Sequence, residues 1–135
     1  MFLVLQSHKI VDGKIHFNVP QHVFDDKPVL EFRITHLYIS FTKSSSKIST
    51  QNDLISLQSN LIDKTPFNPR QDLIFLSVSD SFDYVDYKPT HFLRYKLRLR
   101  DLNDSEFFLH SNNTQLLERI YFVSLQLEIV PYGWI

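Results

Sequence analysis

The stretch PVLEFRITHLYISF, residues 28–41, decides the fold. Side chains of a β-strand alternate between two faces. On that rule Leu30, Phe32, Ile34, His36 and Tyr38 share one face, while Val29, Glu31, Arg33, Thr35, Leu37, Ile39 and Phe41 share the other. The second face turns apolar only past Thr35. A bulge or bend near that residue lets the strand change which side it buries.

The same period of two recurs along the chain. FLVLQSH (2–8) reads as a first strand and KIHFNV (14–19) as a second, opened by the turn signal Asp12-Gly13 and closed by Pro20. TKSSSKISTQN is polar and serine-rich, hence an exposed loop. A strand is expected at 53–59, a loop at DKTPFNPR, and a nearly continuous apolar strand at QDLIFLSVS (71–79). SFDYVDY adds a short strand stopped by Pro89, HFLRYKLRLRD another, and LNDSE a turn. FFLH is short and apolar, SNNTQLLER has room for a single helical turn, and RIYFVSLQLEIV (119–130) is a strong last strand stopped by Pro131. Eight or nine strands with turn signals at roughly ten-residue spacing predict an all-β, antiparallel sandwich or barrel. No composition break divides it, so residues 1–135 are expected to form one domain.

Composition agrees with β structure. The 135 residues include twelve phenylalanines, two glycines and no alanine, so the strongest helix former is missing. A hydrophobic fraction of 43% at this length suffices to bury a core. The net charge of −1 makes any basic patch local. With no cysteine there are no disulfides, thiolate metal sites or Cys nucleophiles. No apolar run reaches the length of a membrane span. MFLVLQSHKI lacks a basic leader and a small-residue cleavage site, so no signal peptide is expected.

Chemistry-bearing residues are scattered. His8, His16, His22, His36, His91 and His110 include no helical i, i+4 pair, and no metal site is expected. No nucleophile motif surrounds any serine, and the only glycines, Gly13 and Gly133, form no phosphate loop. Asp80, Asp83 and Asp86 alternate with aromatics without the glycine a calcium loop requires, and read as a solvated strand face. The reading is therefore of a protein with no catalytic residues and no cofactor.

Two features point outward. In FLRYKLRLRD (92–101), Arg94, Lys96, Arg98 and Arg100 alternate with Leu93, Tyr95, Leu97 and Leu99, which predicts a cationic face over an apolar one. Such a face can touch a protein partner, protect an edge strand, or pair across the sheet with acids such as Asp83 and Asp86. Nucleic acid ranks last, since the chain is slightly acidic and no aromatics interleave with the bases on that face. At the C-terminus PYGWI places Tyr132 and the only tryptophan, Trp134, beyond the last strand. Aromatic anchors of this kind favour docking, on the domain itself or on a neighbouring subunit.

Three stretches carry a resemblance to a known group. They are FLVLQSHKIVDGKIHFNVPQHVFDDKPVLEFRITHLYIS, DLISLQSNLIDKTPFNPRQDLIFLSV, and LRYKLRLRDLNDSEFF with IYFVSLQLEIV. In segment order the chain resembles small virion-associated proteins of Polinton (Maverick) elements and related adenovirus-like and virophage-like viruses. The resemblance implies a jelly-roll-like sandwich with a structural or attachment role in a particle. It also implies assembly as a homo-oligomer, trimer or pentamer, together with other capsid proteins, and residence in the virion. The rival readings are a receptor- or glycan-binding sandwich, with its ligand at the loops 20–28, 60–71 and 131–135, and an enzyme on a β scaffold.

Overall fold

A computed structural model describes residues 2–18, 30–42, 52–79, 82–90, 93–97 and 105–131. In chain order its elements are β1 (Phe2–Ser7), β2 (Ile10–Val11), β3 (Lys14–Ile15), β4 (Leu30–Phe41), β5 (Asn52–Ser59), β6 (Asp72–Ser79), β7 (Tyr84–Tyr87), β8 (Tyr95–Lys96), β9 (Phe107–His110), α1 (Thr114–Glu118) and β10 (Ile120–Pro131). The first sheet runs β1-β10-β4-β7, with β8 also paired to β4; the second runs β2-β3-β9-β5-β6. Every pairing is antiparallel. Apart from the hairpins β2–β3 and β5–β6 and the step from β7 to β8, which both pair with β4, every connection crosses from one sheet to the other, giving the antiparallel sandwich the sequence predicts.

The bulge sits where the apolar pattern requires it. Gln126 and Leu127, adjacent in β10, pair with His36 and Ile34, so Thr35 is the extra residue in β4. Before it Phe32 and Ile34 are buried; after it Leu37, Ile39 and Phe41 are. The Thr35 hydroxyl donates to the Gln126 carbonyl at 3.2 Å, which ties the bulge to its neighbour. Tyr121 plays the same part in β10, letting Ile120 join Val123, Leu125, Leu127 and Ile129 inside. Leu73 does so in β6, ahead of Leu76 and Val78.

A bulge leaves a residue's ladder groups without a partner. At Leu73 the carbonyl accepts the Tyr95 hydroxyl, a bond that crosses from the first sheet to the second. The Tyr95 ring also stacks on fully buried Phe32, centroids 5.3 Å apart. Burial, and secondarily the nearby Tyr87 phenol, hold the Tyr95 hydroxyl above its ordinary pKa, so it stays a donor.

Asp12 and Gly13 both take positive φ, 51° and 83°. That is the two-residue turn whose twist matches a hairpin, and Asp-Gly is its preferred sequence. Of the expected strand 14–19, only Lys14–Ile15 pair in the sheet among the described residues. His16 instead donates its N–H to the Lys9 carbonyl at 2.9 Å, and Ser7 Oγ donates to the His16 carbonyl at 2.6 Å. These bonds turn the chain across from β1 to the second sheet. The expected helical turn is α1, capped by Asn113, whose Oδ1 accepts from Leu116 N–H at 3.2 Å. Both sheets contribute to one buried cluster, with Phe32 and Phe107 its largest fully enclosed side chains.

Deleting Thr35 tests the phase argument. In a regular stretch a one-residue deletion exchanges the faces of the strand; at the bulge it does not. With Thr35 removed, Phe32, Ile34, Leu37, Ile39 and Phe41 fall on one face of an unbroken alternation, and His36 follows Ile34 as their partners Gln126 and Leu127 follow one another. The deletion variant is expected to keep a cooperative melt by circular dichroism; loss of cooperative melting would refute the phase assignment.

Candidate interaction surfaces

Of the residues expected to make contact, Arg94 and Lys96 lie within the described residues; Arg98, Arg100, Tyr132 and Trp134 lie outside them. β8 places Lys96 directly opposite Glu31 of β4 and Tyr95 opposite Phe32. Arg94 Nη1 stands 3.8 Å from Glu31 Oε2. Both basic residues are exposed and Tyr95 and Leu97 are half-buried, as the alternation predicted. Leu93 departs from it: at 69% exposure it is not in the core. The β8 ladder reaches only Glu31 and Phe32, so Leu93 lies beyond it and lines the rim of a shallow hollow with Ile34, Tyr87 and Pro89. The acid beside Arg94 is therefore Glu31.

Asp86 serves the outer face of the first sheet. Its carboxylate pairs with His36 Nε2, and Lys88 Nζ lies 3.8 Å from its other oxygen. The hydrogen bond from His36 lowers the Asp86 pKa; partial desolvation opposes this and the Lys88 charge assists it. Beside the pair an aromatic row crosses the sheet. His8 lies 4.7 Å from Phe122, Phe122 6.2 Å from Tyr38, and Tyr38 5.8 Å from Tyr84, the last two rings being stacked. At the far end Arg33 Nη2 donates to Glu128 Oε2 at 2.7 Å. The face thus combines ring surface with fixed donors and acceptors.

The β5–β6 hairpin forms one margin of the second sheet and is apolar outside. Leu54 and Phe75 are diagonal neighbours by register, and both are more than half exposed. At the tip, Phe67 is wholly in solvent. Its turn, Thr65-Pro66-Phe67-Asn68, is closed by Asn68 N–H donating to the Thr65 carbonyl at 3.1 Å. The Asn68 side chain then clasps the backbone of Asp72, donating from Nδ2 and accepting at Oδ1, both at 2.9 Å. Gln71 Nε2 reaches the Ile62 carbonyl at 2.8 Å. The turn is a built platform holding a phenylalanine in water. Sequence reading registered this segment as a loop and, in the rival ligand-binding reading, as one of three candidate ligand loops, without singling out Phe67; the signal for Phe67 was an aromatic directly after the proline of a polar turn.

A cleft of about 430 Å³ lies between the β2–β3 hairpin and α1, lined by Ile10, Val11, Asp12, Thr114, Leu117 and Glu118. Of the loops expected to hold a ligand, 60–71 is described, whereas 20–28 and 132–135 are not. Among the described residues no group of three or more His, Asp or Glu stands close enough to hold a metal ion. Compared with protein-family models, curated proteins and solved structures, the chain matches none.

The His36–Asp86 pair carries a pH signature. A carboxyl whose folded pKa lies below its unfolded value stabilises the fold above that unfolded value, and loses the effect as pH falls through the folded one. With 3.8 as the ordinary value, Asp86→Asn is expected to melt below the wild type at neutral pH. The gap should shrink as pH drops under 3.8 and close below the lowered folded value. Thermal melts across pH 2–7 check this; a gap independent of pH would assign the difference to something other than the carboxylate charge.

Proposed function

We propose that the protein is a non-enzymatic structural component of a virus or virus-like particle, a minor capsid, vertex or attachment protein working through self-assembly and contacts with capsid subunits. The observation that carries this reading is the apolar margin of the β5–β6 hairpin: Leu54 and Phe75 on its outer face and Phe67 on a braced tip. Isolated surface hydrophobics are ordinary. Three on one hairpin, one of them held out by a network of hydrogen bonds, suit burial against another subunit. The antiparallel sandwich supports the reading by analogy only, since capsid proteins and lectins both use such folds. The resemblance to Polinton-type virion proteins points the same way. In this reading the chain assembles inside the host cell and resides in the particle. A hairpin docking on a different patch of the next copy closes a ring, hence a trimer or pentamer.

Light scattering over a concentration series tests it. The wild type is expected to give the mass of a closed ring. Phe67→Ser with Phe75→Ser should dissociate that ring while shifting the melt little, because neither side chain is buried in the subunit. A monomer at high micromolar concentration without affinity for capsid subunits would overturn the reading.

The aromatic row favours a second one, a receptor- or glycan-binding sandwich. His8, Phe122, Tyr38 and Tyr84 offer ring surface beside the His36 and Asp86 side chains, the combination with which proteins hold the apolar faces and hydroxyls of sugars. A glycan array should then give hits lost in Tyr84→Ala; an array without hits removes this alternative.

A further inference from the structure

Among the described residues strand β1 is an edge, and an unguarded one. It pairs with β10 on one side, and among the described residues no backbone bond reaches its other side. Proteins protect such edges with charge, proline, a bulge or a covering segment. FLVLQS contains no charge and no proline, and its register with β10 is unbroken from Phe2 to Ser7. Its outer face keeps Phe2 and Val4 in solvent, 62% and 54% exposed. Its inner face carries Leu3 and Leu5, both buried in the core.

We infer that β1 is the site of a two-fold contact with a second copy of this chain, formed by antiparallel pairing of the two β1 strands about Val4. The occupant follows from self-complementarity. An isologous contact sets the strand against its own copy, so a strand carrying like charges would repel itself; β1 holds no charge to do so. With Val4 on the axis, Leu3 lies opposite a second copy's Leu5 and Phe2 opposite its Gln6. Aliphatic therefore meets aliphatic at both Leu3–Leu5 pairs of the inner face, and the two cores join under one continuous sheet. The free N–H and C=O groups of each strand become each other's ladder partners. The contact rests on the assembly reading but adds what a ring cannot supply. Rings use unlike patches, whereas this one joins subunits in pairs and links one ring to another.

The chain has no cysteine, so a single introduced thiol reports the contact. Directly opposed residues in an antiparallel pair have Cβ atoms roughly 4.5–5.5 Å apart. Val4→Cys should therefore give a covalent dimer, by oxidation or with a short bis-maleimide, at concentrations where Thr114→Cys, also exposed, on α1, stays uncrosslinked. Val4→Lys, which sets two ammonium groups together, should weaken association at least tenfold without lowering the melting temperature. Failures separate cleanly. Cross-linking of Val4→Cys in a protein whose mass is only that of a dimer upholds the β1 contact and removes the ring. A wild type that runs as a trimer or pentamer while Val4→Cys cross-links no faster than Thr114→Cys overturns the β1 contact and leaves the ring. A wild type that stays monomeric with no Val4→Cys dimer overturns both.

Discussion

Strand β4 must bury two different faces of itself against one core, and the extra residue at Thr35 is what permits it. Below the bulge it offers Phe32 and Ile34 inward; above it, Leu37, Ile39 and Phe41. The neighbours divide at the same place. β8 pairs with Glu31 and Phe32, β7 with Leu37 to Ser40, and neither ladder reaches Thr35. The aromatic row and the His36–Asp86 pair therefore belong to the upper half of β4, and the basic side chains of β8 to the lower. One inserted residue sets both the core and the layout of the outer face.

Legibility in the sequence followed the strength of local pattern. β1, β4, β5 and β10 alternate over six or more residues and β6 is a nearly continuous apolar run, and their positions were readable to within a residue or two. The bulge at Thr35 was readable because an apolar pattern that changes sides has few other causes. The bulges at Leu73 and Tyr121 were not, since DLIFLSVS is apolar on both faces and Tyr121 follows the helix at once. The stretch 14–19 looked like a strand because KIHFNV alternates, yet tertiary hydrogen bonds to Lys9 and Ser7 took its backbone out of the ladder. The candidate surfaces were less legible still. The cationic stripe announced itself by charge, but its acidic neighbour Glu31 lies over sixty residues away in sequence, and only the β4–β8 pairing brings them together. Phe67, one aromatic in a polar loop, gave no periodic signal at all.

Charge and apolar surface are segregated on this molecule. The basic residues of β8 stand beside a carboxylate, which lowers their value as a free electrostatic lure. The Arg33–Glu128 pair, and the Lys88 ammonium beside Asp86, offset charge on the outer face of the first sheet in the same way. Among the described residues, exposed apolar side chains gather at the β1 edge and on the β5–β6 hairpin, which belong to different sheets. Contacts at these two places would be driven by desolvation, so they should withstand salt and weaken in the cold.

The hairpin at Asp12-Gly13 has a consequence for tracing the ancestry of the chain. Gly13 combines a positive φ with a carbonyl that accepts Leu109 N–H at 2.7 Å, and a Cβ there would strike the Leu109 carbonyl oxygen. Two separate demands, torsional and steric, thus exclude every side chain at one position. Most surface columns of a diverging β-sandwich drift freely; this one cannot change without lengthening the loop. A distant relative keeping a two-residue turn here must keep this glycine, nearly a hundred residues before the strand it touches. The spacing from that glycine to an apolar FFLH-like segment is then a more durable mark of descent than any stretch of aligned identities.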